Sequence, residues 1–212
     1  MKMKTTLTFV LSLVLVTANG QSARYEQAML GAIEKMDNAT SIGEFIDAAN
    51  LFERIGQTEK NEWLPQYHAA YMYLLAGFQE EDITKKDPYF DKAQQFLDNA
   101  FNLAPENSEL FVLQAFIYPG RMVVDPMNRG MELMGKMNAA IDKAIKLDPE
   151  NPRSYYLQAV ILLNMPVEFG GGPGVAKPLF EKAREKFDKF SPESSISPNW
   201  GKEQNEEELS KL

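Results

Sequence analysis

One pattern recurs along this chain: an apolar stripe at helical spacing, a stop, and then a second apolar stripe. In the clearest copy the first stripe has members at i, i+4 and i+7, which places them on one face of a helix: Met137, Ile141 and Ala144. Asp148-Pro149 stops this helix, because proline cannot continue a helix and disfavours helical geometry in the residue before it. The second stripe combines large, small and large side chains at Tyr155, Ala159 and Leu162. This pattern predicts two helices joined by a tight turn.

The first stripe of this pattern has four copies at a nearly constant period. The copies begin at residues 48, 93, 137 and 176, so the intervals are 45, 44 and 39 residues. Self-similarity at such a period indicates stacked helical repeats, each of which buries its apolar face against its neighbours. The other copies are Ala48-Phe52-Ile55, Ala93-Leu97-Ala100 and Ala176-Phe180-Ala183. We therefore expect an all-α chain of four helical hairpins.

The repeat resembles the tetratricopeptide repeat (TPR) family. In that family a bulky residue opens the first helix, a small residue follows four positions later, and a proline ends the second helix. The matching positions are Phe111, Ala115, Ala93, Leu97, Ala100 and Pro105, and again Tyr155, Ala159, Ile141, Ala144 and Pro149. Alanine stands where the family has glycine, and the period exceeds the usual length of about 34 residues. The resemblance covers about residues 24 to 190 and implies a right-handed α-solenoid with a C-terminal capping helix.

The chain divides into a signal segment, a repeat domain and a tail. Residues 1–20 are typical of a secretory signal, with a basic start at Lys2 and Lys4, an apolar run and a small-residue cleavage site ending at Gly20. The apolar run is too short to span a bilayer, although an amino-terminal membrane anchor is the alternative interpretation. Cleavage would leave the repeat domain (21–190) and the tail (191–212) in the periplasm or secreted, with no stable membrane insertion.

Composition argues against several kinds of function. The net charge is −8, and no basic stretch is present, so we expect no nucleic-acid partner. The absence of cysteine removes thiol nucleophiles, thiolate zinc sites and disulfides. His68 is the only histidine, and we interpret it as hydrogen-bonded within the helical stack. Since no catalytic motif occurs either, we predict a protein that is not an enzyme and has no catalytic residues, cofactor or metal site.

The extra length of the repeats is concentrated in three expanded turns inside hairpins, at residues 77–87, 119–128 and 164–174. Equivalent loops of stacked repeats lie on the same side, so these turns would line one edge of the solenoid. Arg121 and Phe169 are the candidate binding residues there. Tolerated surface insertion explains the length equally well, because the entropy of loop closure grows slowly with length.

A second candidate surface is the concave face, which the first helix of each hairpin would line. Its members are largely aromatic and aliphatic, and they suit a groove for a peptide or a partner helix: Tyr67, Tyr71, Val112, Phe116, Arg153, Tyr156 and Val160. Arg153 could pair with a partner carboxylate. The alternative is that several of these residues pack helix against helix.

The C-terminal quarter adds two expectations. Ser197-Pro198 predicts the start of a capping helix with Trp200 and Leu209 facing inward. Residues 168–180 and 199–203 resemble the T component of tripartite (TRAP) solute transporters, which implies a solute-binding accessory protein. The glycine-rich loop at 170–174 lacks the features of a phosphate cradle and is interpreted as a connector.

The principal hypothesis is an exported protein that binds a protein or peptide partner non-covalently, and the alternative is a solute-binding accessory of a transport system.

Overall fold

The structure is a computed structural model that describes residues 22–212, and over that range it is built from helices without strands. The helices are α1 (22–37), α2 (Ile42–Thr58), α3 (Leu64–Gln79), α4 (Lys86–Leu103), α5 (Ser108–Val124), α6 (Pro126–Leu147), α7 (Pro152–Asn164), α8 (Pro173–Phe187) and α9 (Lys202–Ser210). The all-α prediction is confirmed. The predicted signal segment, residues 1–20, lies outside the described residues.

The helices pack in the pairs that the repeat pattern predicts. Helix α3 contacts α4, α5 contacts α6, and α7 contacts α8, so each pair forms one hairpin. Contacts between α2 and α3, α4 and α5, and α6 and α7 join successive hairpins. Helix α5 also contacts both α3 and α7, so the first helices of three hairpins lie side by side.

The predicted stripes form the interior of the protein. Ten of the predicted repeat residues are completely buried: Phe52, Ala93, Leu97, Ala100, Ala115, Ala144, Ala159, Ala176, Phe180 and Ala183. Most of them are alanines, and a methyl group allows two helix backbones to approach closely. The apolar periodicity therefore identifies the core-facing side of each hairpin correctly.

The expanded turn expected at residues 119–128 is not a loop. Helix α5 continues through Pro119 to Val124, and Asp125 alone separates it from α6. Gly120 lies inside α5 because the Phe90 ring of α4 packs where a Cβ would stand, and Gly77 of α3 approaches the same edge of that ring. The Pro-Gly pair therefore marks a close helix contact rather than a turn. The other two expanded turns do connect helices: residues 80–85 join α3 to α4, and residues 165–172 join α7 to α8.

The capping helix begins later than predicted, at Lys202 rather than near Ser197. Gly201 precedes it with φ +104°, a left-handed conformation that favours glycine. A side chain there would also meet the ring of Phe187, since a Cβ would lie 2.9 Å from its Cζ atom. Residues 191–201 consequently run as an irregular segment along the helices, and Trp200 and Leu209 pack inward as expected.

Among residues 22–212, no helix has both the length and the apolar character that crossing a membrane requires.

Candidate binding groove

The C-terminal segment covers most of the predicted concave surface. Trp200 donates a hydrogen bond from Nε1 to the hydroxyl of Tyr67 at 2.8 Å, and its ring stacks on Tyr71 with the centroids 5.0 Å apart. The Tyr156 ring meets the same indole edge-on at 6.3 Å. All three tyrosines are buried as a result, and burial raises the pKa of Tyr156 to about 12. These tyrosines hold the tail and do not form an open surface.

Arg153 and Val112 are also buried. The Arg153 guanidinium donates from Nε to Oε2 of Glu109 at 2.8 Å and from Nη2 to Oε1 at 2.6 Å. Its Nη1 donates to the carbonyl oxygen of Trp200 at 3.3 Å, and the ring of Phe190 lies 4.4 Å away. Val112 packs in the core between α5, α6 and α7. The carboxylate that the sequence suggested for Arg153 therefore comes from the protein's own α5.

His68 is hydrogen-bonded, as the sequence interpretation expected, but its partner belongs to the tail and not to the helical stack. Its Nε2 donates to the carbonyl oxygen of Ile196 at 2.9 Å, and its ring stacks on Phe52 at 4.9 Å. The imidazole is buried, and burial lowers its pKa from 6.5 to about 4. At neutral pH His68 is thus a neutral residue that fixes the tail to α3.

This pKa predicts acid sensitivity. Between pH 6.5 and about 4 the unfolded chain binds a proton at His68 that the folded protein excludes. The contribution of His68 to the free energy of unfolding is therefore full above pH 6.5 and is lost as the pH falls from 6.5 to about 4. The full loss should be about 3 kcal/mol. Urea unfolding of the His68→Gln variant should show a smaller loss of stability over this range, because glutamine keeps an N–H donor and does not titrate. Identical pH profiles for the two proteins would contradict the assignment.

Beyond the tail, the helices leave an open groove with a cavity volume of about 660 Å³. It lies between the ends of α3 and α5, the first half of α6, the second half of α7 and the loop after α7. Its lining is almost entirely apolar: Phe78, Phe116, Pro119, Met122, Val123, Pro126, Gly130, Met134, Met137, Leu157, Val160, Ile161, Asn164, Met165, Pro166 and Phe169. Three predicted binding residues, Phe116, Val160 and Phe169, meet here. The concave face and the edge loops therefore contribute to one site rather than two.

The loop over residues 165–172 is held in place by backbone hydrogen bonds. The N–H of Gly172 donates to the Leu162 carbonyl at 2.7 Å, and that of Gly171 donates to the Pro166 carbonyl at 3.2 Å. A Cβ at Gly171 would collide with the Met165 carbonyl oxygen, so only glycine fits there. This connector is thus a tied loop that presents Phe169, with 74% of its surface exposed, at the groove.

Exposed apolar side chains stand next to groove-lining residues in the sequence. Met127 and Met131, at the start of α6, are 93% and 92% exposed, and Val167 is exposed on the opposite loop. Met127 and Met131 follow the lining residues Pro126 and Gly130, and Val167 follows Pro166. Arg121, the remaining predicted residue, is not part of the lining, because its Nη1 pairs with Asp91 at 2.8 Å and ties α5 to α4.

The lining restricts what the groove can do chemically. It contains no ionisable side chain, and its amide residue, Asn164, donates a hydrogen bond to the Val160 carbonyl at 2.8 Å. Binding there must rest on apolar contact and on the thioethers of four methionines. Sequence reasoning placed Met137 in a core stripe and missed Met122, Met134 and Met165 as groove residues, although Met134 lies one helical turn before Met137 on α6.

No protein-family model and no curated protein matches the chain. Among solved structures, it matches the HusA haemophore from Porphyromonas gingivalis. This chain is similar to a haemophore. The two share 28% sequence identity over 87% of this chain and 90% of the haemophore chain, with a TM-score of 0.78. The similarity spans most of both proteins.

Proposed function

We propose that this protein is an exported haem-binding protein that holds the porphyrin in the apolar groove. The observation that carries the proposal is an open, uncharged groove of about 660 Å³ on a fold similar to that of a haemophore. Its volume lies in the usual range for small-molecule sites.

The lining fits a flat macrocycle better than a polar solute. Phe116 on α5 and Phe169 on the loop offer aromatic surface, and methionines adapt their shape to an apolar ligand. Since no lysine or arginine lines the groove, the propionate groups of a bound porphyrin would point to solvent. The methyl- and vinyl-bearing edge would enter the groove, where its burial drives binding.

The proposed function agrees with some of the expectations from the sequence and not with others. A small ligand agrees with the alternative hypothesis of a solute-binding accessory, and export agrees with the predicted signal segment. A peptide in the concave groove is less well supported, because the tail occupies the surface around Tyr67, Tyr71 and Tyr156. We also propose that the four hairpins form a TPR-like right-handed solenoid; the contacts of α5 with both α3 and α7 support it.

Titration of residues 21–212 with haemin, followed by absorbance and tryptophan quenching, tests this function. Phe169→Asp should weaken haemin binding by about tenfold or more, because it puts a charge on the apolar rim where an aromatic anchor stood. The exposure of Phe169 makes this change harmless to folding. Leu30→Asp is the matched control on α1, where a half-exposed apolar residue outside the groove lining is replaced in the same way.

The control variant should bind haemin as the native protein does. Absence of haemin binding by the native protein, or equal weakening by the two substitutions, would contradict a porphyrin site in this groove. A peptide ligand that competes with haemin would show that the same rim also serves a protein partner.

A further inference from the structure

The indole of Trp200 packs against a ring that lines the groove; the inference drawn from this contact rests on the proposed function. Phe116 is one of the lining residues, and Trp200 is not. The two rings stack with their centroids 6.0 Å apart and an angle of 29° between their planes. A ligand that contacts Phe116 in the groove therefore touches a side chain that packs directly on the tail.

Trp200 is itself held at several points. Its Nε1 donates to the hydroxyl of Tyr67 at 2.8 Å, and its carbonyl oxygen accepts from Nη1 of Arg153 at 3.3 Å. Its ring stacks on Tyr71 with the centroids 5.0 Å apart. These partners belong to α3 and α7. The position of the indole thus depends on residues 191–201 remaining docked on both helices.

The Phe116 ring has a second aromatic neighbour, Phe78, which also lines the groove. Their centroids are 5.1 Å apart, and their planes meet at 36°. Phe116 is half-buried, so its contacts with Phe78 and Trp200 restrict the rotation of a ring that would otherwise be partly free. A side chain that is already held in its binding orientation loses less conformational entropy when a ligand arrives.

We infer that Trp200 is a positioning residue for the groove, and that docking of residues 191–201 and binding of the ligand strengthen each other through Phe116. The indole keeps the Phe116 ring in the orientation that the ligand contacts. Linkage makes this effect reciprocal: the factor by which the docked tail raises the affinity for the ligand is also the factor by which the bound ligand stabilises the docked tail.

Haemin titration of substituted proteins tests the positioning role. Trp200→Ala should weaken haemin binding about fivefold or more, because the Phe116 ring loses the neighbour that orients it. Trp200→Phe keeps an aromatic ring at this position, so it should bind haemin within about twofold of the native affinity although it loses the hydrogen bond to Tyr67. Leu97→Ala creates a cavity in α4 outside the groove lining and should leave the affinity unchanged.

The two alanine variants distinguish positioning from general stability. Equal weakening of haemin binding by Trp200→Ala and Leu97→Ala would show that affinity follows the stability of the whole fold, and it would overturn the positioning role. An unchanged affinity of Trp200→Ala would overturn it as well.

Hydrogen exchange of the native protein tests the reciprocal effect, and it needs no variant that could fail to fold. Saturating haemin should slow amide exchange in residues 191–201 about fivefold or more, whereas exchange in α2, which contributes no residue to the groove lining, should stay the same. Equal slowing in both segments, or no slowing in residues 191–201 with haemin bound, would overturn the inference and leave the proposed function standing. Absence of haemin binding would overturn both.

Discussion

Trp200→Ala should lower the free energy of unfolding by about 3 kcal/mol, the lower end of the range for removing a large aromatic side chain, because the indole is partly buried. The indole contacts all three apolar clusters of the described residues, so its loss leaves a cavity where the hairpins converge. It also stacks on Tyr71 and donates to the hydroxyl of Tyr67, which would be left buried with an unpaired oxygen. Urea unfolding monitored by circular dichroism measures the change.

Trp200→Phe separates the two contributions. A phenyl ring retains the stacking on Tyr71 and removes the indole N–H, so this variant should lose only about 1–2 kcal/mol. An unchanged urea midpoint for Trp200→Ala would show that the tail does not stabilise the helices in solution.

The helical hairpins could be predicted from the sequence because the residues that define a helix and its ends lie within a few positions of one another. A stripe such as Ala93, Leu97 and Ala100 shows the buried face of a helix within two turns, and Ser41 with Glu44 predicts a capping box that the structure contains. Local signals fail where the partner is distant. Pro119-Gly120 is typical of a turn, and only the ring of Phe90 explains why it lies within a helix.

The candidate groove illustrates the same limit. Phe116, Val160 and Phe169 could be proposed from the repeat register and the expanded turns, and the structure brings them together. The sequence did not predict that the tail covers the surface around Tyr67, because this depends on a hydrogen bond between Trp200 and Tyr67, which are 133 residues apart in the sequence. Helical periodicity shows which residues face inward, but it does not show which segment covers them.

Glu109→Ala should cost about 3–5 kcal/mol of stability, because it leaves the Arg153 guanidinium buried without its counter-charge. The Arg153 side chain is 1% exposed, and its Nε and Nη2 both donate to the Glu109 carboxylate. Asn151 also loses a partner, since its Nδ2 donates to Glu109 Oε1 at 2.9 Å. Urea unfolding at neutral pH measures the loss.

Two controls show whether burial causes the effect. Asp188→Ala removes the partner of Lys202 in an exposed ion pair with an N–O distance of 2.8 Å, and it should change stability by less than about 1 kcal/mol. The double variant Glu109→Leu, Arg153→Met removes both buried charges and should regain most of the stability that Glu109→Ala loses, because no unpaired charge remains in the interior. If the double variant is as unstable as Glu109→Ala, the ion pair contributes packing or tail contacts that the two apolar side chains do not replace, and an unpaired charge is not the cause.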